Sequence, residues 1–237
     1  MKPTKMEWNS PTLGQKAIVE VYGTGGTPIL HFDGYPAHST LKERNEVLSG
    51  IKMQIDYEFN NVYCPIMSKD ADILNKNSDP AARLVSYNFF EGFVLDELLP
   101  RIRKDSGKDF VILSGVGGGA FYALNIMLKH PEKFNKLIAI CGPVNLRPYF
   151  GDFFNDSLYY NNPYEFIPNL NDQEILNAIR SSDLRLISSV FDDNKDQMVF
   201  LSDELSFKNI DHLLDVWGDD RDNTPATWAE MFEKHVP

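Results

Sequence analysis

The stretch Phe110-Val-Ile-Leu-Ser-Gly-Val-Gly-Gly-Gly-Ala-Phe-Tyr-Ala-Leu124 constrains the fold of this chain more than any other. A branched apolar run, Phe110–Ser114, passes into a second apolar run, Gly119–His130, with four glycines crowded into the join. The first run is short enough for a buried strand and the second long enough for a helix. A strand that becomes a helix across so few residues needs a tight turn, and the helix must then pack back on the sheet.

The same alternation runs along the chain. Ala17–Tyr22 and Pro28–Phe32 read as strands joined by the turn Gly23-Thr-Gly-Gly26, and Asn61–Met67 as another strand. Asp79 and Pro80 open a helix, as N-cap and first-turn proline. Leu84, Tyr87, Phe90, Val94, Leu98 and Ile102 then step by three or four along its packing face. Leu137–Cys141, Leu184–Ser189 and Asp211–Trp217 read as strands. Gln173–Ile179, Lys195–Leu205 and a last helix capped by Thr224 and Pro225 and reaching His235 lie among them. Strands alternating with helices imply right-handed crossovers and a mostly parallel sheet. The expected architecture is one α/β domain over residues 1–237, helices on both faces, with the N-terminal hairpin as an antiparallel edge. No repeat or Pro/Gly/Ser linker divides the chain.

Two devices produce a glycine-rich strand-to-helix turn. One is a dinucleotide loop, since Gly115-x-Gly117-x-x-Ala120 fits G-x-G-x-x-G/A. That motif normally opens a first βαβ unit and has an acidic residue about 20 positions on. Here it lies mid-chain, and Leu137–Cys141 offers no Asp or Glu. The other is a nucleophile elbow, G-x-S-x-G, in the frame Gly115-Val-Gly-Gly-Gly119. Gly117 then stands in the serine's place.

The elbow frame, Ala120-Phe121 and His130-Pro-Glu-Lys-Phe134 resemble the esterase family of α/β hydrolases that includes the enterochelin and S-formylglutathione esterases. Asn9-Ser-Pro-Thr-Leu-Gly14, Gly26-Thr-Pro28, Asp79-Pro-Ala-Ala-Arg83, Tyr159-Tyr-Asn-Asn-Pro163 and Leu214-Asp-Val-Trp-Gly218 extend the similarity from about Trp8 to His235. The resemblance implies an α/β-hydrolase fold and a triad in the chain order Ser, Asp or Glu, His. It puts the nucleophile position at Gly117. The acid falls at Asp193, with Asp192 next, although either aspartate also suits the cap of the helix near Lys195. An ungapped match from Trp217 to Trp228 puts Asn223 where the histidine belongs, or Asp222 if the loop shifts. Neither side chain takes a proton near neutral pH as imidazole does. Gly118 and the loop Asp33-Gly34 are the oxyanion candidates. His38, in that same loop, is the one histidine expected near the pocket.

The remaining histidines have structural explanations. His31 falls in a strand, His130 at a helix C-terminus where its charge suits the dipole, His212 at the start of the last strand, and His235 in a frayed end. Ser114 lies three residues before the elbow and is no substitute nucleophile.

Composition narrows the partners. The formal net charge is −11, which disfavours nucleic acid and anionic membrane surfaces. No signal-peptide core and no span of some 18 apolar residues is present, and the expected location is the cytoplasm. Cys64 and Cys141 are expected as buried small hydrophobes. No metal-ligand spacing occurs, and no cofactor is expected. The preferred expectation is a non-catalytic binding or regulatory protein whose partner is a small acyl or ester-like ligand or another protein. The alternative is an ester or thioester hydrolase with a rearranged site using His38 and carboxylates near Asp193. The segment Tyr149, Phe150, Phe153, Phe154, Tyr159, Tyr160 is expected to pack over the sheet end, its other use being to line a pocket mouth or a subunit interface in a homo-oligomer.

Overall fold

The computed structural model describes residues 1–34 and 40–237, with only the backbone at Asp70. Among them eight strands form one sheet: β1 (Thr4–Ser10), β2 (Gln15–Tyr22), β3 (Thr27–Phe32), β4 (Asn60–Pro65), β5 (Ile112–Val116), β6 (Lys136–Ile140), β7 (Asp183–Ser189) and β8 (Leu213–Trp217). Their order is β1-β2-β4-β3-β5-β6-β7-β8. From β4 to β8 every pairing is parallel.

The antiparallel edge is there, but not from the strands the sequence suggested. β2 and β3 are not neighbours, because β4 lies between them, antiparallel to β2 and parallel to β3. The hairpin is β1 with β2, Trp8 opposite Ala17. β1 escaped the sequence reading because Lys5, Glu7 and Asn9 leave only Met6 and Trp8 apolar, the composition of a half-solvated edge strand.

The two-residue period of the strands sorts side chains into two cores. Leu30, Phe32, Leu113, Leu137, Ala139, Leu184 and Leu186 face one core, with the helices Pro80–Phe93, Gly118–Lys129, Gln173–Arg180 and Lys195–Phe207. Ile29, Ile112, Ile138, Ile140 and Ile187 face the other, with the helices Leu41–Leu48 and Pro225–His235. Apolar burial on both sides of a parallel sheet is why these strands read as continuous hydrophobic runs. The helix from Pro80 continues through a π turn at Val94–Leu98 into Leu99–Ser106 and stops at the left-handed Gly107. Glu97 in that turn accepts hydrogen bonds from Trp8 Nε1 (2.7 Å), Ser10 Oγ (2.7 Å) and Thr12 N (3.0 Å), which ties the hairpin to the helix.

Four histidines are held by partners, His212 by Ser202 Oγ (2.6 Å from Nε2) and Ile210 O (2.9 Å from Nδ1). His130 Nε2 meets Glu91 Oε1 at 2.7 Å. His235 is buried, not frayed, with Nε2 2.8 Å from Asp215 Oδ2. His31, on β3, faces Ser114 on β5, Nδ1 to Oγ 2.8 Å, while its Nε2 has no partner. Burial presses the His31 imidazole down to about 4, against the pull of Asp33 and with Arg44 adding to the fall. An unfolded histidine takes up its proton near pH 6.5, before the folded one does. Stability present above that pH is therefore lost as pH falls from about 6.5 towards 4, by roughly 3 kcal/mol at the lower end. Urea unfolding at pH 7 and pH 4.5 should show this loss, and His31→Gln should remove most of it.

Candidate functional site

The parallel strands end on a cleft of about 330 Å³. Each strand from β3 to β8 sends a following segment to its wall: Gly34 after β3, Asp72 and Leu74 after β4, Gly117 and Gly118 after β5, Cys141 after β6, Asp192 and Asp193 after β7, Asn223 after β8. Clefts at the carboxyl ends of parallel strands are where open α/β sheets bind ligands. Among the described positions named from the sequence, Gly117, Gly118, Gly34, Asp193 and Asn223 meet here. Asp222 is exposed and does not line the cleft, and His38 lies outside the described residues.

Gly117 sits at the strand-to-helix turn with φ 51° and ψ −126°, capping the helix Gly118–Lys129. Its N–H donates to Ile140 O (2.8 Å) and its carbonyl accepts from Ala120 N (3.1 Å), so the turn is pinned on both sides. A Cβ here would lie 3.1 Å from both Gly34 O and Trp228 Cη2. The Gly118 N–H, an oxyanion candidate, donates to Gly34 O at 2.8 Å. The carbonyl of the β3 loop thus takes the donor that a substrate oxyanion would need.

Asp33 does not face the cleft. Its buried carboxylate is gripped by Arg44 from the next helix, with Nε at 2.9 and 3.0 Å and Nη2 also in contact, and Arg44 Nη1 reaches Glu20. Arg44 thereby holds the residue before Gly34.

The aspartates after β7 differ. Asp192 is buried, accepting from Ser188 Oγ (2.8 Å) and Asn194 N (2.9 Å); burial raises its carboxyl, the two hydrogen bonds oppose this, and the charge on Asp193 adds to the rise. Asp193 is exposed and makes no hydrogen bond or ion pair among the described residues. Geometry therefore gives a fixed carboxylate to Asp192 and a free one to Asp193, a division the sequence did not reveal. Asn223 Oδ1 accepts from Trp228 Nε1 at 2.7 Å, which fixes the indole over the elbow.

Sequence reasoning missed Trp228, Asp72 and Cys141 as contributors. Trp228 served only as an alignment landmark, yet its buried ring closes over Gly117. Asp72 reaches the wall from the loop after β4; its Oδ1 accepts from Tyr122 OH (3.0 Å) and Leu74 N (3.1 Å). Of the aromatic segment, Tyr149 lines the same wall while Phe150 and Phe153 pack with the core. Cys141 adopts φ 52°, a conformation rare outside glycine. Burial pushes its thiol up to about 12, Asp192 adds to this, and hydrogen bonds with Trp228 and Ser189 oppose it. The thiol is therefore protonated at neutral pH and no thiolate nucleophile is present there. Both cysteines are free and buried. No trio of His, Cys, Asp or Glu fit to hold a metal occurs among the described residues. No described helix is long and apolar enough to cross a membrane.

No family model and no curated protein matches the sequence. Solved structures do match over nearly the whole chain. A ferulic acid esterase superposes with TM-score 0.71 at 16% identity, covering 98% of this chain and 95% of that one. An S-formylglutathione hydrolase from Agrobacterium tumefaciens gives 0.73 at 14% identity, covering 99% and 97%. MPT51 from Mycobacterium tuberculosis gives 0.70 at 12%, covering 99% and 96%. This chain has the α/β-hydrolase fold, shared with esterases from end to end.

Proposed function

We propose that this protein uses an esterase fold to bind a ligand in the cleft without hydrolysing it, as a binding or regulatory protein. The observation that carries the reading is the closure around Gly117. The nucleophile position has no side chain, and Gly34 O and Trp228 crowd the space one would enter. Two further features support it. The Gly118 N–H is already bonded to Gly34 O, and Asn223 accepts a hydrogen bond from Trp228 where a general base would stand. A hydrolytic site needs a nucleophile, a base and an oxyanion donor together. Two free buried thiols fit a reducing compartment such as the cytoplasm.

The test is reversion. Gly117→Ser forces a side chain into positive φ beside a backbone carbonyl, at a cost of about 2 kcal/mol. The variant should melt lower than the wild type and leave p-nitrophenyl acetate hydrolysis at background. Pairing it with Asn223→His supplies a base. Sequence alone makes this double variant the smallest change able to restore slow turnover, provided the oxyanion N–H groups are open. With the Gly118 N–H engaged, background rates are expected here too. Turnover in the wild type or in Gly117→Ser alone would reveal a base that this reading leaves out.

A further inference from the structure

The reading of the cleft as a binding site raises the question of what it would hold, and the polar groups on its wall answer in one direction. Asp72 lines the cleft and is 8% exposed; its Oδ1 accepts two hydrogen bonds, and no hydrogen bond reaches its Oδ2. A largely enclosed carboxylate with one oxygen free of donors favours a ligand that supplies one. Asp193, on the wall formed after β7, is likewise without a donor among the described residues.

No basic side chain lies among the described lining residues. Arg83, the guanidinium nearest Asp72 in charge effect, spends its donors on the carbonyls of Ile73, Asn75 and Tyr149 and stacks on Phe150. Lys76 sits over the Tyr149 ring at 4.8 Å and does not line the cleft. At the elbow the Gly118 N–H is already taken by Gly34 O. Tyr149 feels the same field: burial first, then the charges of Asp72 and Asp192, raise its hydroxyl. Trp228, Tyr149, Leu74 and Pro143 form the apolar part of the wall, beside the polar side chains of Asp192, Asn194 and Asn223. Aromatic faces beside carboxylates attract cations and repel anions.

We propose that the cleft takes a small organic cation, an ammonium or guanidinium head on a flat apolar body, with Asp72 and Asp193 as its counter-charges and Trp228 and Tyr149 as its walls. The proposal rests on the reading of the site as one that binds without turnover. A volume near 330 Å³ is at the small end for ligand sites and suits a single ring. Among the described residues no trio of ligating side chains fits a metal ion, so the expected charge is organic.

Isothermal titration of the full chain at pH 7.5 tests it with four probes: benzylammonium, benzyl alcohol, benzoate and calcium chloride. Benzylammonium should bind at least tenfold more tightly than benzyl alcohol, and neither benzoate nor calcium should give binding heat. Asp72→Asn and Asp193→Asn should each weaken benzylammonium about tenfold, the size of one lost charge-assisted contact. Asp203→Asn, a surface control, should change nothing. Asp193 is exposed, so lost affinity in its variant at an unchanged melting temperature reports the site and not the fold. Benzoate or the alcohol binding as well as the amine, calcium binding that Asp193→Asn abolishes, or no heat with benzylammonium would each overturn the proposal. Ester hydrolysis by the wild type would instead sink the non-catalytic reading, whatever the titrations give.

Discussion

Gly119→Ala is expected to lose about 3 kcal/mol of stability or more, enough to leave much of the protein unfolded at 37 °C. A methyl group at this position would overlap the carbonyl oxygens of Phe32 and Asp33, which are backbone atoms of β3 and its loop. Neither can swing away as a side chain would, since β3 is held in register between β4 and β5. The helix would have to lift from the sheet and take Gly117 and Gly118 with it. Circular dichroism melts and expression yield check the effect; a melting temperature within 2–3 °C of the wild type would mean that β3 and the helix are not packed this closely.

That packing marks how far the sequence alone could be read. Four glycines from Gly115 to Gly119, where Phe110–Ser114 meets Gly119–His130, signalled a strand meeting a helix at close range, and their spacing aligned Gly117 with the nucleophile position. The parallel strands were legible because Leu137–Cys141 and Leu184–Ser189 are buried on both faces, which makes them continuous apolar runs. Pairing was not legible. The Gly23–Gly26 turn looks like a hairpin connection, yet β4, almost thirty residues later, separates the two strands it joins. That choice is made by non-local burial and leaves no local mark. The site divides in the same way. Gly117, Gly118, Asp193 and Asn223 could be aligned, whereas Asp72 and the carbonyl of Gly34 act through tertiary position alone. The Asn223–Trp228 hydrogen bond belongs with these, although both residues were already in view.

Arg44→Met is expected to have an effect at least as large, near 3–5 kcal/mol, and to reach the cleft. Arg44 is 5% exposed and bridges Asp33 and Glu20, which are also shielded. Removing the guanidinium strands the buried Asp33 carboxylate, while Glu20 keeps only Lys5 Nζ at 3.8 Å; an uncompensated buried charge costs more than the pair ever contributed. The β3 loop should lose its anchor one residue before Gly34, loosening the Gly34 O–Gly118 N–H bond. Denaturant unfolding measures the first effect. Faster hydrogen exchange at the Gly118 amide, monitored under conditions where the variant is still folded, measures the second. Pairing Arg44→Met with Asp33→Asn should recover part of the loss, because the stranded charge is then removed.

The central claim is that the elbow holds no nucleophile and no open oxyanion site, and labelling of the wild-type protein probes it most directly. A fluorophosphonate reacts with an activated serine hydroxyl whatever ester the enzyme prefers, so intact-mass spectrometry after incubation needs no knowledge of the substrate. The account predicts an unmodified mass under conditions that label a serine hydrolase completely. One phosphonyl adduct per chain, formed at a single serine and lost on prior unfolding, would contradict it.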